Sequence, residues 1–421
     1  MLGYFALGPK FAVRVSFAQF IEPRTYDPLP SCQSDPAMPT PEIALLLSTY
    51  QRPQHLRHAL LSIALQQIDH AKLELVVTDD GSTDETADVV RQFAGSVDFP
   101  VHFATHPHDG FRLARCRNEG AAASRAPYML FLDGDCILPP DHVSVHLRQR
   151  KPGFVMAGDC CRLEQDVSAR IDEAVIRGGA FQHWGSPREE ARLRKLDRAS
   201  RFYRAIRHPN KPKLIGNNVG IWRVDYERVN GYDENFHGWG CEDDDLRYRL
   251  RRAGVKIESI LRWTRTYHLW HPSEATAPAR WRDGLNVKYL LRKGGLTRCR
   301  NGLVKRPLAD LNVRVVGEPA APQSVARLLA GRIAQFGGGS GNGGTRRRFD
   351  PPEVEILFLP GRGTFSGQAQ TNVLVALENS TDAARLARRA HVLVATQQLT
   401  TNPNQVQFTL DDFDRALDAV A

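Results

Sequence analysis

"LELVVTDDGSTDETADVVRQFA", residues 73–94, passes from a mostly apolar run through a polar turn into helical spacing. The run to Thr78 is short and mostly apolar, the pattern of a strand in a parallel sheet. Asp79 and Asp80 close it. Ser82 or Thr83 is placed to cap the helix that Asp84 and Glu85 lead, because short polar side chains satisfy the free N–H groups of a first turn. The same unit recurs on either side. Upstream, "IALLLS" (43–48) is a strand, and Leu56, Leu60 and Ile63 mark one face of a helix. Downstream, "VHFAT" (101–105), "RLARCRNEGAAASRA" (112–126) and "YMLFLDGD" (128–135) read as strand, helix and strand. Such alternation predicts an α/β domain with a mainly parallel central sheet. In such sheets ligands bind outside the carboxyl ends of the strands. Here those ends carry "STYQR", "TDDGSTD" and "DGDC".

The chain has 421 residues, 42% hydrophobic and 24% charged, with no apolar run near the roughly 18 residues that span a bilayer. Lys10 and Arg14 interrupt the mildly apolar start, which makes a poor signal peptide. Met38 directly precedes the first convincing strand, so residues 1–37 are expected to be a disordered extension. Residues 38–300 form the main domain, and 301–349 a linker that is Gly-rich at 337–344. Residues 350–421, with the strands "VEILFLP" and "HVLVATQ", form a small C-terminal α/β appendage to which no activity is assigned. Seven cysteines, an odd count without metal-type CxxC spacing, point to reduced thiols and a cytoplasmic location.

The net charge of +9 is concentrated at 186–213, where ten Lys/Arg face three acids. Leu196, Ala199, Tyr203 and Ile206 recur there at helical spacing and are the expected buried face. The stretch is either a solvated amphipathic helix or a surface that meets anionic lipid headgroups or a phosphorylated acceptor. It has few aromatics for base stacking, which argues against nucleic acid as a partner.

Three stretches carry chemistry. In "FLDGDC" an apolar strand ends in Asp133 and Asp135 around a glycine, a carboxylate pair suited to Mg²⁺ or Mn²⁺ bridging to phosphate, although such triplets also make plain turns. "HGWGCEDDDLRYRLRRAG" (237–254) sets four acids before a helical run with Leu246, Leu250 and Ala253 on its buried face. Measured from Leu246 at about 100° per residue, Glu242 lies near −40° and Asp243 near +60°, toward the interior or a cleft. Asp245 sits at about −100°, and Asp244 at about 160°, toward solvent. A helix N-terminus lowers the cost of such charge, but capping needs one acid rather than four. Gly238 and Gly240 allow a tight loop, and Trp239 offers a flat apolar surface for a sugar ring. Lastly, "YHLWHP" (267–272) adds His268 and His271, a pair able to bind metal where single histidines usually do not.

In this order "STYQRP", "DDGSTD", "ARCRNEGAA", "FLDGD", "NGYDENFHGWGCEDDDL" and "YHLWHP" resemble glycosyltransferases of the GT-A fold, family 2, with the "GWGxEDDD" corner of β-1,4-galactosyltransferases. The resemblance covers residues 42–290. It implies that Thr49, Tyr50, Arg52 and Asp80 hold the nucleotide, with Asp80 near the uracil or ribose. It further implies that Arg115, Arg117 and Asn118 line the donor pocket and that Asp133 lies near the ribose. Asp135, with His271 and His268, would bind Mn²⁺ (or Mg²⁺) at the diphosphate. Trp239 and Glu242 would contact the acceptor sugar, and Asp243 would be the general base. Cys241 stands where the galactosyltransferases have a third glycine, so acceptor identity does not carry over.

The implied enzyme is an inverting, metal-dependent transferase that moves a hexose or N-acetylhexosamine from a UDP-sugar to a glycan or glycolipid, as in capsule or lipopolysaccharide assembly. Neighbouring carboxylates are expected to raise the proton affinity of Asp243 and favour a base. Two other classes are weighed. A nucleotidyltransferase should carry a basic Gly-rich loop after the first strand, and "STYQRPQHL" has none. A non-catalytic glycan-binding protein that keeps the fold is the other alternative.

Overall fold

The computed structural model describes residues 16–17, 40–208, 211–291, 294–307, 310–316, 352–359, 363–376, 381–395, 399 and 406–409. Two compact units divide at Ala277/Pro278.

In chain order the first unit contains β1 (Ser16–Phe17), β2 (Ile43–Thr49), α1 (Pro53–Ala64), β3 (Leu73–Asp79), α2 (Thr86–Ala94), β4 (Val101–Thr105), α3 (Leu113–Ala123) and β5 (Tyr128–Asp133). It continues with β6 (Cys136–Ile137), α4 (His142–Gln149), β7 (Phe154–Ala157), β8 (Cys160–Arg162), α5 (Gln165–Ser168), α6 (Glu173–Gly178) and α7 (Pro187–Ala205). It closes with β9 (Asn218–Trp222), α8 (Arg223–Arg228), α9 (Glu242–Arg252), β10 (Lys256–Ser259) and β11 (Thr266–His268).

Eight strands form one sheet in the order β1-β4-β3-β2-β5-β9-β7-β10. All neighbours are parallel except that β9 runs antiparallel to both β5 and β7. The expected α/β class with a mainly parallel sheet is the observed one. Apolar side chains decide the layering: Leu45, Leu47, Leu75, Val77, Leu130 and Leu132 face Leu56, Leu60 and Ile63 of α1 and Val89 and Val90 of α2. Each such side chain contributes about 1.5–3 kcal/mol when fully buried. On the other face α3 lies close, with a Cβ added to Gly120 reaching 3.3 Å from Thr78 and 3.6 Å from Leu46.

Strand succession runs outward from β2 through β3 and β4, then jumps to β5 on the opposite side of β2. The crevice therefore opens beyond Thr49 and Asp133, where strand order reverses. Gly134 holds the two ends together: its amide donates to Ser48 O over 2.7 Å, and a Cβ there would meet Thr49 at 3.0 Å. Beside the crevice a second sheet, β6-β11-β8, pairs His268 with Cys136 on one side and Arg162 on the other.

Several expectations are revised. Ser16 and Phe17 pair with His102 and Phe103, inside the stretch expected to be an extension; the rest of residues 1–37 lies outside the described residues. The turn after β3 is not capped by Ser82 or Thr83. Ser82 instead donates its amide and hydroxyl to Asp79, and Asp84 accepts the Thr86 amide. In α7 the buried residues are Leu193, Asp197 and Ser200, while Ile206 is 53% exposed. The hydroxyl of Ser259 donates to Asp197 over 2.9 Å and draws that polar side inward, a contact that hydrophobic spacing does not register. Ala253, expected on the buried face of α9, is only half-buried.

The second unit begins before the expected linker. Its strands β12 (Val313–Val316), β13 (Val354–Leu359), β14 (Thr371–Ala376), β15 (Val392–Ala395) and β16 (Val406–Phe408) form a parallel sheet in sequence order. Thus Val313–Val316, inside the stretch read as linker, is a strand; the Gly-rich 337–344 lies outside the described residues. Ile356, Phe358, Val373, Val375 and Val394 share one core. Leu357, Leu374 and Leu393 share another with Leu386 of the helix Thr381–Ala387.

Candidate active site

The site is assembled from strand ends. β5 delivers Asp133 and Asp135, and the β6–β11 pairing brings up the segment after β11, fixed by the Leu269 amide on Asp135 O at 2.9 Å. His271 Nε2 lies 3.1 Å and His268 Nε2 3.5 Å from the Asp135 carboxylate, and the three ligand atoms fall within 4.8 Å of one another. Burial opposes ionisation of Asp135, but the two imidazoles and Arg52, 3.4 Å away, hold its carboxyl well below the usual range. Burial pushes His268 down, toward the neutral form that binds metal; His271 is raised against burial by Asp135. One carboxylate and two imidazoles fit Mn²⁺, and suit it better than Mg²⁺, which favours oxygen alone. His55 Nε2, 3.1 Å from Trp270 O, steadies this segment and was not foreseen from sequence.

The acidic corner meets this group through Arg117. Its side chain is almost fully buried, with Nη1 donating to Asp243 over 2.9 Å and lying 3.6 Å from Glu242. Nη2 lies 3.4 Å from Asp133, and the guanidinium stands 5.0 Å over the Tyr232 ring. Asp243 Oδ1 also accepts from Tyr232 Oη at 2.9 Å, and Oδ2 from the Gly216 amide at 2.8 Å. Gly216 must be a glycine: an added Cβ would overlap the Arg117 guanidinium. Glu242 is buried, and its Oε2 has no hydrogen-bond partner among the described residues.

Glu242 is pushed up to about 8 by burial and by Asp243 beside it. Asp133 is pushed up to about 6, again chiefly by burial. Asp243 instead collects three donors. Asp244, expected to face solvent, is half-buried on Arg247 at 2.9 Å, and Asp245 is buried against Arg249 at 2.6 Å. Two of the four acids thus pair with arginines of their own helix one turn on. Cys241 enters α9 at φ 79°, the left-handed region that explains a glycine in related corners. Trp239 is 45% exposed, with its amide on Thr276 Oγ1.

On the nucleotide side, the Thr49 carbonyl accepts the Asp80 amide at 3.1 Å, and Tyr50 stacks on His108 with centroids 4.4 Å apart. Asp80 is buried, with Oδ1 on His106 and Oδ2 on the Arg112 amide, each at 2.9 Å. Arg115 pairs with Glu119 at 2.8 Å. Asn118 is buried: its amide donates to Tyr232 O and Glu234, and its carbonyl accepts Tyr226 Oη and the Tyr232 amide. It shapes the turn before the acidic corner. Arg117 on the same helix joins Asp133, Glu242 and Asp243. His106, Glu119, Gly216 and Tyr232 have no sequence signal of their own, since their partners lie far along the chain.

Residues 45–204 match the family model described as glycosyl transferase family 2, and residues 199–272 match the N-terminal domain of galactosyltransferase. Validoxylamine A glucosyltransferase of Streptomyces hygroscopicus subsp. limoneus is 30% identical over 243 residues, 55% of this chain and 51% of that protein. Hyaluronan synthase of Pasteurella multocida is 24% identical over 52% of this chain and 24% of its own length. The chain thus spans about half the length of the first curated relatives, and less of others. Among solved structures, a Pyrobaculum calidifontis mannosyltransferase in complex with GDP-Man and Mn²⁺ is 18% identical, covers 52% of this chain and 55% of its own, and has a TM-score of 0.38. A score of that size carries no argument about the site.

Proposed function

On the premise that this chain carries a family 2 glycosyltransferase domain, we propose that it is an inverting, metal-dependent transferase that moves a hexose or N-acetylhexosamine from a UDP-sugar to a glycan or glycolipid. Its place would be the assembly of a cell-surface polysaccharide such as capsule or lipopolysaccharide. The observation that carries the reading is the convergence of Asp135, His268 and His271, with Asp135 two residues after Asp133, which Arg117 in turn links to Asp243.

In this reading Asp243 takes the proton of the acceptor hydroxyl as its oxygen attacks the anomeric carbon and the bond to UDP breaks. A single displacement inverts that carbon. Asp135, His268 and His271 would hold the metal, which when bound offsets the charge that builds on the departing diphosphate. Thr49, Tyr50, Arg52, Asp80, Arg115, Arg117, Asn118 and Asp133 would serve the nucleotide side, and Trp239 and Glu242 the acceptor side. Arg117 keeps Asp243 in place.

No helix among the described residues is long and apolar enough to cross a membrane. The basic helix α7, with Phe202 59% and Ile206 53% exposed at its end, suits contact with anionic headgroups in the cytoplasm. Asp159, Asp197 and Glu258 already pair with Arg192, Arg201 and Arg204, which tempers that charge.

The test is hydrolysis of a panel of UDP-sugars with Mn²⁺ or with EDTA, by wild type, Asp135→Ala and Asp243→Asn. Turnover of one UDP-sugar that needs metal and vanishes in Asp135→Ala is expected. Absence of turnover together with absence of nucleotide binding by calorimetry would overturn the reading.

A further inference from the structure

The loop between β4 and α3 converges on one residue. His106 Nε2 stands 2.9 Å from Asp80 Oδ1, the Arg112 amide donates to Asp80 Oδ2 over 2.9 Å, and His108 Nδ1 lies 2.7 Å from Asp80 O. The other ring nitrogen of His106, Nδ1, is 2.9 Å from Glu119 Oε2 on α3. An ionised carboxylate only accepts, and a neutral imidazole carries one N–H. A ring that faces carboxylates with both nitrogens therefore holds both protons. The His106 side chain is 3% exposed, so this imidazolium is buried between two anions.

The surroundings of His106 pull in both directions. Burial disfavours the charge, and Arg115 on α3 opposes it, but Asp80 and Glu119 together raise His106 to about 9. Arg115 is itself tied to Glu119 Oε1 at 2.8 Å, which leaves Oε2 for the ring. Ligand atoms of Asp80, His106 and Cys116 lie within 4.8 Å of one another, which resembles a metal set. Both ring nitrogens already face carboxylates, however, and burial pushes the Cys116 thiol well up. The cluster is an ion bridge.

Resting on the reading of a UDP-sugar donor, we propose that His106 is the positioning residue of the nucleotide subsite: it ties Asp80 to Glu119 so that the Asp80 carboxylate meets the base in one orientation, and thereby sets the preference for uracil over cytosine. Uracil N3 carries a hydrogen that a fixed carboxylate accepts, whereas cytosine N3 presents a lone pair to it. Each Asp80 oxygen has one partner here and can accept another. A carboxylate released from His106 could swing to suit either base.

The experiment uses the full chain with Mn²⁺ and measures UDP and CDP affinity by calorimetry for wild type, His106→Gln and Glu119→Gln. The imidazole resonance of His106 is followed against pH by NMR. We expect His106→Gln to lose about tenfold in UDP affinity with CDP little changed, the scale of one hydrogen bond to a charged group. His106 should titrate near pH 9 in wild type and lower in Glu119→Gln. Equal weakening of UDP and CDP, or titration of His106 near its ordinary 6.5, would overturn the proposal. If His106→Gln does not fold, Glu119→Gln carries the same two readouts. Wild-type protein that binds neither nucleotide would overturn the UDP-sugar reading and the base-reading role together. In that case the imidazole titration still reports whether the bridge exists.

Discussion

Replacing Glu242 by Gln should leave the enzyme working, while the equally conservative Asp243→Asn should stop it. Glu242 is pushed up to about 8 by burial and Asp243, and its Oε2 has no hydrogen-bond partner among the described residues. At pH 7 a group titrating at about 8 is protonated by about ten to one. A glutamine of the same shape copies that neutral donor. Glu242→Gln should therefore keep UDP-sugar hydrolysis within about tenfold of wild type, the scale of one hydrogen bond. Asp243→Asn removes the base and should cost about 10²–10⁴-fold.

A second arm needs no activity. Folding holds a proton on Glu242 up to about 8, where the ordinary value is 4.5, so the folded state binds the extra proton between those limits. Stability from this group is therefore present below pH 4.5 and lost as pH rises toward 8, by up to about 5 kcal/mol. The charged groups that face it are Arg117 on α3, Asp133 at the end of β5 and Asp243 on its own helix. Glu242→Gln removes the loss, so its Tm should gain on wild type from pH 5 to pH 9. A Tm difference that stays flat with pH, or a Glu242→Gln enzyme as inactive as Asp243→Asn, would refute the division of roles.

Further outcomes follow from neighbouring contacts. Gly216→Ala places a methyl group in the Arg117 guanidinium and should lower stability by about 1–3 kcal/mol, seen in urea unfolding, with a loss of hydrolysis that Asp243→Asn does not deepen. His142 and His146 are buried with their rings 4.9 Å apart, and burial pushes His142 well down and His146 to about 4. The unfolded chain takes up these protons first, so stability should fall as pH drops from 6.5 toward 4, by about 3 kcal/mol for His146 alone. Urea midpoints at pH 7 and 4.5 test this, and His146→Asn should flatten the slope. Cys241→Gly relieves the left-handed backbone at φ 79° and should raise stability by about 1 kcal/mol in thermal unfolding.

Local pattern determined much of this protein. Continuous apolar runs required buried parallel strands, their polar ends marked the crevice, and the order of "FLDGD", "GWGCEDDD" and "YHLWHP" named Asp135, Asp243, His268 and His271 before any coordinates. These features are legible because strand burial and turn chemistry depend on residues a few positions apart. The tertiary structure decided the partnerships. It put β9 antiparallel between β5 and β7, moved the polar side of α7 inward, and set Arg117 against an acid 126 positions away. It also decided that Glu242 is pushed up by burial and by Asp243 beside it, and that Asp243 receives Gly216, Tyr232 and Arg117 as donors. Ionisation in a buried site depends on desolvation and on charges brought in from distant segments, and neither is a property of a short stretch of chain.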